Sequence, residues 1–313
     1  ALTKIEVPEG VTAIPKHAFR NAKVEEVTLP ESLTAIGNYA FDCSGLKSIT
    51  LPDSVTTLGN YALASCENLT ELDLSENLTT IGFEAFRYCS NLTTLTLPDS
   101  VTLVASDAFE NCTNLQRVRL SKGLVDLQAN AFYNCDKLTS IEIPKSLEKC
   151  SEYLSDLGPF AGCDSLKTVT FEEGTTRIAD RLLANCPGIE EILIPDTVTA
   201  IEDYAFCYCG NLETITIPGA LKTVPYGLTI GCAKLTTVNL AEGIENLTGG
   251  AFANCPVLIE LTVSDAMTMA NYEGHTGFAF HNTPITTVHV PATVTSIPDN
   301  FYNNFYNTFH NCI

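Results

Sequence analysis

Tryptophan is missing from this sequence, and methionine is nearly so, with 2 residues among 313. Basic residues are scarce: 17 Lys plus Arg stand against 37 Asp plus Glu, a formal charge of −20. That shortage argues against nucleic acid as a partner, because phosphates need Lys and Arg. It argues equally against anionic membrane surfaces. No apolar run reaches membrane-spanning length, so no membrane insertion is expected in this segment. A Gly-rich phosphate loop, a His-Glu-x-x-His pattern and an Asp-rich calcium loop are all missing. No His stands near a candidate nucleophile by register. The chain therefore reads as non-enzymatic, with no cofactor and no resident metal. It starts at Ala1 with no charged-then-apolar leader, which reads as a processed or trimmed product and leaves export open.

What is present is repetition. Apolar residues make up 45% and Cys numbers 13. Cys falls at 43, 66, 89, 112 and 135, then at 163, 186, 209, 232 and 255, each step being 23 except one of 28. A fixed period of this size marks a solenoid. The unit reads L-x-x-I-x-L-P-x-S-V-T-x-I-G-x-x-A-F-x-x-C-x-N, with clear copies at Leu46–Asn68, Leu92–Asn114 and Ile189–Asn211. The parse gives 13 units, starting at residues 2, 24, 46, 69, 92, 115, 138, 166, 189, 212, 235, 258 and 285. The expectation is one solenoid over 1–313, with insertions near 151–158 and 271–278 and an aromatic cap near 299–313.

One unit shows the physics. In Leu46–Pro52, Ile49 and Leu51 point one way and Ser48 and Thr50 the other, as a strand requires. Pro52 has no N–H for a ladder and ends the strand. Val55–Leu58 is a second extended segment with Val55 and Leu58 inward. Gly59 is expected to turn a corner at positive φ. Tyr61–Cys66 is expected to return the chain by a helical or 3₁₀ turn. One unit cannot bury its own apolar edge, so units stack into a continuous core.

These residues resemble the BspA-type leucine-rich repeats of surface proteins in bacteria and some protists. The resemblance covers essentially the whole chain. It implies an α/β leucine-rich-repeat solenoid, right-handed and curved, with a parallel β-sheet on the concave face and short strands or turns on the convex side. It also implies a secreted or cell-surface location and a binding role. Local departures are Leu228-Thr229 in place of Ala-Phe, and Ala22 and Thr283 in place of Cys.

The cysteine column reads as buried free thiols, because stacked side chains run parallel and free Cys is among the most buried residues. Disulfides are the alternative, since neighbouring coils bring Cα atoms within bridging distance. Abundant thiols fit a reducing compartment, whereas the resemblance implies export. Burial or anaerobic surroundings reconcile the two. Cys150 aligns with the core Leu58. Cys207 aligns with Ala64, Arg87 and Glu110 and is expected to face solvent as the reactive thiol.

The outer face of the main strands carries two side chains per coil, and half of them are Ser or Thr. Thr94, Thr96, Arg117, Arg119, Glu142, Thr168 and Thr170 are the candidate binding residues there. Arg117 and Arg119 could receive an acidic group. The plainer reading is charge balance with Glu142, Glu71 and Asp73. Tyr39, Tyr61 and Tyr204, with Tyr88 and Tyr208, decorate the turns. They form either a contact stripe or a set of rings packed over the neighbouring coil. His281 and His310 share a unit position, yet a metal site needs more ligands. The Asn-x-Ser/Thr sequons at Asn68, Asn77, Asn91, Asn111 and Asn246 read as by-products of the motif. Two functions remain open. One is adhesion or recognition of a protein or extracellular-matrix ligand, host-derived ligands included. The other is an acidic solenoid that binds and sequesters a basic protein.

Overall fold

The computed structural model describes residues 3–150, 157–263 and 279–289. Both insertions lie largely outside these residues, and the C-terminal aromatic segment lies wholly outside them. The chain divides into two compact units, Ala1–Leu166 and Lys167–Ile313.

In the first unit, Lys4–Glu6, Glu26–Thr28, Ser48–Thr50 and Glu71–Asp73 form one parallel sheet. Thr94–Thr96 pairs with Arg117–Arg119 in the same sense, Thr94 opposite Arg117 and Thr96 opposite Arg119. A second ladder joins six two-residue strands, from Ala13–Ile14 to Asp126–Leu127. In the second unit, Glu191–Ile192, Thr214–Ile217, Thr237–Leu240, Glu260–Thr262 and Thr287–His289 form a five-stranded sheet. All four neighbouring pairs of this sheet run parallel. Parallel pairing between successive coils is what a short repeat with a return segment produces.

The core follows the expected period. Ile49, Leu51, Val55 and Leu58 are buried, while Thr50 is exposed. The strand ends at Thr50, ahead of Pro52. Cys150 is buried like the Leu58 it aligns with.

The return segment is a run of tight turns. Ala62 N–H donates to Gly59 O within the coil (3.2 Å), and Leu63 N–H donates to Ala85 O of the next coil (2.8 Å). Alternate amides thus serve the turn and the stack, which leaves few buried backbone groups unpaired. Among the described residues the helix Gly219–Leu221 is the single 3₁₀ element. The positive φ expected of Gly59 belongs to Tyr61 and Ser65 instead (56° and 53°). Gly59 is needed for a different reason. A Cβ there would meet Asn38 Oδ1 at 2.6 Å and Asn38 N at 2.7 Å. At Gly82 a Cβ would meet Leu58 O at 2.7 Å. At this glycine column the backbones of successive coils approach too closely to admit a side chain.

Candidate functional site

Two surfaces carry polar chemistry, and the repeat builds them differently. The turn side is closed by side-chain columns. The outer face of the main strands is open.

The innermost turn column is sulfur. Cys66 Sγ donates to Phe41 O (3.2 Å), Cys89 to Leu63 O (3.3 Å), Cys112 to Phe86 O (3.4 Å) and Cys135 to Phe109 O (3.5 Å). Cys209, Cys232 and Cys255 repeat this in the second unit, on Leu183 O, Phe206 O and Thr229 O. In each case the acceptor lies three residues before the column position of the preceding coil. The thiols therefore satisfy buried carbonyls as well as filling space. Burial pushes Cys66 and Cys255 up to about 11 and Cys112 and Cys163 up to about 12. Such thiols stay protonated and are poor nucleophiles.

Two sequence expectations about cysteine need correction. Cys43 is not in the column. Ser44 takes that place: it is buried, its Oγ lies 3.2 Å from Cys66 Sγ, and its N–H bonds Phe41 O. Cys43 has a φ of 55° and occupies the turn position held by Ser65, Tyr88 and Asn111 in later coils. It is the exposed thiol among the twelve described cysteines, all of which are free. Cys207 is 2% exposed, contrary to expectation. Its column neighbours in the second unit are Ala184, which is buried, and Ile230, which is half-buried. At the same position Arg87 is half-buried and Glu110 is buried, so the charged residues that align with Cys207 are themselves covered.

Outside the thiols lies a polar and aromatic belt. Tyr61 Oη donates to Glu84 Oε1 (2.8 Å). Arg87 bridges Glu84 (2.6 Å) and Glu110 (2.7 Å). Asn111 Nδ2 donates to Glu110 Oε1 (2.8 Å), and Asn134 Nδ2 to Asn111 Oδ1 (3.2 Å). Burial raises the Glu110 carboxyl above its ordinary value, with Arg87 pulling the other way. His17, Tyr39 and Tyr61 stack at centroid distances of 5.0 and 4.4 Å. The rings pack over neighbouring coils, and Tyr88 and Tyr208 stay exposed. Two further sequon amides besides Asn111 are engaged: Asn77 Nδ2 donates to Asp53 O and Asn91 Nδ2 to Glu67 O. This side is structural in design.

The strand face differs. Thr94, Thr96, Arg117, Arg119 and Glu142 are all exposed in the first unit, as are Thr168 and Thr170 in the second. The arginine pair splits. Arg119 is held by Asp99, with Nη2 at 2.6 Å from Oδ1, and it donates to Leu97 O (3.0 Å). Asp99 also accepts the Lys122 N–H, and these contacts hold its carboxyl below the usual range. The partners expected from sequence, Glu142, Glu71 and Asp73, are not the ones Arg119 takes. A loop residue of the preceding coil reaches it first. Arg117 has no ion-pair partner among the described residues. It presents five donors to solvent beside Thr94. No three His, Cys, Asp or Glu side chains gather as metal ligands among the described residues. His275 and His310 lie outside them. No described helix is long and apolar enough to cross a membrane.

The model of the BspA type leucine rich repeat region matches residues 1–115, 79–196, 156–259 and 190–308. The chain belongs to this family. Among solved structures, a leucine-rich repeat protein from Bacteroides ovatus is similar at 24% identity and a TM-score of 0.62, over 83% of this chain and 72% of that one. The pneumococcal vaccine antigen PcpA is similar at 23% identity and a TM-score of 0.53, over 98% and 71%. A leucine rich cell surface protein from Faecalibacterium prausnitzii aligns at 24% identity over 96% and 89%, with a TM-score of 0.49. No curated protein matches the chain. The first two likenesses establish the leucine-rich-repeat fold, and the family match places the repeat type.

Proposed function

We propose that this BspA-type chain is a non-enzymatic recognition module of a secreted or cell-surface protein. It binds a protein or extracellular-matrix ligand, host-derived ligands included, on the exposed face of its main strands. The observation that carries this reading is the contrast between faces. On the turn side, the column thiols, Tyr61 and the Glu84–Arg87–Glu110 set spend their polar groups on one another and on neighbouring coils. On the strand face, Thr94, Thr96, Arg117 and Glu142 are exposed in the first unit, and Thr168 and Thr170 in the second. Arg117 and Glu142 lack ion-pair partners among the described residues. Arg119 on the same face is paired with Asp99.

Beads coated with the chain should adhere to films of matrix protein or to intact cells. Adhesion should persist near ~1 M salt, where charge is screened within about 3 Å. An Arg117→Thr/Glu142→Thr variant should adhere several-fold less, whereas Tyr88→Ser on the turn side should not change it. Equal adhesion by both variants would remove the strand face from the function.

The second reading is an acidic solenoid that sequesters a basic protein. The −20 charge favours it. Binding that collapses on raising salt, with cationic partners preferred, would select it over the first.

A further inference from the structure

The second unit carries a break in its main sheet. Strand Glu191–Ile192 is two residues long, and its neighbour Thr214–Ile217 is four. Glu191 pairs with Thr214 and Ile192 with Ile215, and the ladder stops there. Just past the stop, Leu193 is 71% exposed. The corresponding residues in other coils are Thr96, Thr170 and Thr216. Ile194 is half-buried, although its counterparts Leu97 and Ile217 are buried. The early ending opens a notch of about 230 Å³ lined by Glu191, Leu193, Asp196, Thr214, Thr216 and Pro218. No Lys or Arg is among its lining residues. Glu191 and Asp196 are both exposed, and neither has an ion-pair partner among the described residues.

Size, polarity and charge agree on one kind of occupant. Sites for drug-sized ligands start at about 300 Å³, so this notch fits a single side chain. One part of its wall is apolar, and two unpaired carboxylates stand at the rim. That combination suits a side chain with an aliphatic stem and a cationic head. We propose that the notch docks a basic segment of a protein partner. One Lys or Arg of that segment lays its stem on Leu193 and Pro218 and meets Glu191 and Asp196 with its charge. This inference rests on the strand face being the recognition surface and adds the class of partner that the second unit takes.

A fluorescent ten-residue lysine peptide tests it by anisotropy at low salt. Glu191→Thr/Leu193→Thr restores the residues that neighbouring coils carry, so the variant keeps the pattern of the repeat. A melting curve checks its fold. It should bind the peptide about tenfold more weakly than the parent chain. The uncharged change Leu193→Thr alone should cost severalfold, as should Asp196→Asn. Glu260→Thr removes one carboxylate from the same sheet outside the notch and should cost less than twofold. The proposal is overturned if the parent chain does not bind the peptide. It is also overturned if Leu193→Thr binds as the parent does and Glu191→Thr is no worse than Glu260→Thr, because the peptide would then be reading diffuse charge. Peptide binding that survives loss of matrix adhesion would count against the broader recognition reading alone.

Discussion

The phenylalanine column is unbroken through the later coils of the first unit and interrupted in the second. Phe86, Phe109, Phe132 and Phe160 stack at 5.1, 5.2 and 5.5 Å. The matching column in the second unit reads Leu183, Phe206, Thr229 and Phe252. The backbone does not register the change. Thr229 N–H still reaches Ala251 O (2.9 Å), as Phe109 N–H reaches Ala131 O (2.7 Å). The lost ring is replaced one position earlier, where buried Leu228 stands in place of Ala. Each coil therefore demands a volume and a hydrogen-bond pattern more than a residue type. The belt outside it shows the same tolerance. Arg87 and Glu110 in the first unit give way to Ala184, Cys207 and Ile230 in the second, on the same turn scaffold.

The contrast can be broken deliberately. The largest effect is expected from Phe109→Ala, which removes a fully buried ring between two others. It should cost about 3–5 kcal/mol in chemical denaturation. Thr229→Phe should cost about 1–3 kcal/mol by overpacking. Adding Leu228→Ala should recover most of that, and failure to recover would show that volume is not what the coil conserves. Arg87→Ala should cost about 2 kcal/mol, since it strands Glu84 and Glu110, while the guanidinium itself is partly solvated. A pH series sharpens the same point. The Glu110 carboxyl is raised in the folded chain, so it holds its proton more tightly folded than unfolded. Its contribution to stability is present below the ordinary value, near about 4.3, and is lost as pH rises through the folded value. Glu110→Gln should flatten that fall in Tm. The smallest effect belongs to the strand face: Arg119→Ala should change stability by about 0–1 kcal/mol, because its pair with Asp99 is exposed.

Much of this was legible in the residues. Alternation at Ser48–Leu51, the stop at Pro52 and the Cys period define the strands, the turn and the stack, and they give the repeat family. The misread positions have physical causes. Cys43 stands 23 before Cys66 and so matches the period. Yet it follows Phe41 by two residues, whereas Cys66 follows Leu63 by three. The shorter gap marks it as a turn residue, with Ser44 in the column. Gly59 signalled a special backbone, but two different constraints favour glycine, and close approach was the one that applied. Cys207 aligns with charged residues of the first unit, but its own neighbours along the stack decide its burial. The candidate site was legible only as a row of outward positions. Which of them are free depended on Asp99 reaching Arg119 and on a strand that ends at Ile192. Both are contacts between coils, which a period cannot reveal.

Burial in this chain is set by a residue's column and not by its type. Native thiol labelling read by mass spectrometry tests it most directly, on a chain in which Cys312→Ala leaves only described thiols. One fast site is expected, Cys43, with Cys207 and the column thiols modified only on unfolding. Fast labelling of Cys207 or of any column cysteine, with Cys43 protected, would contradict it.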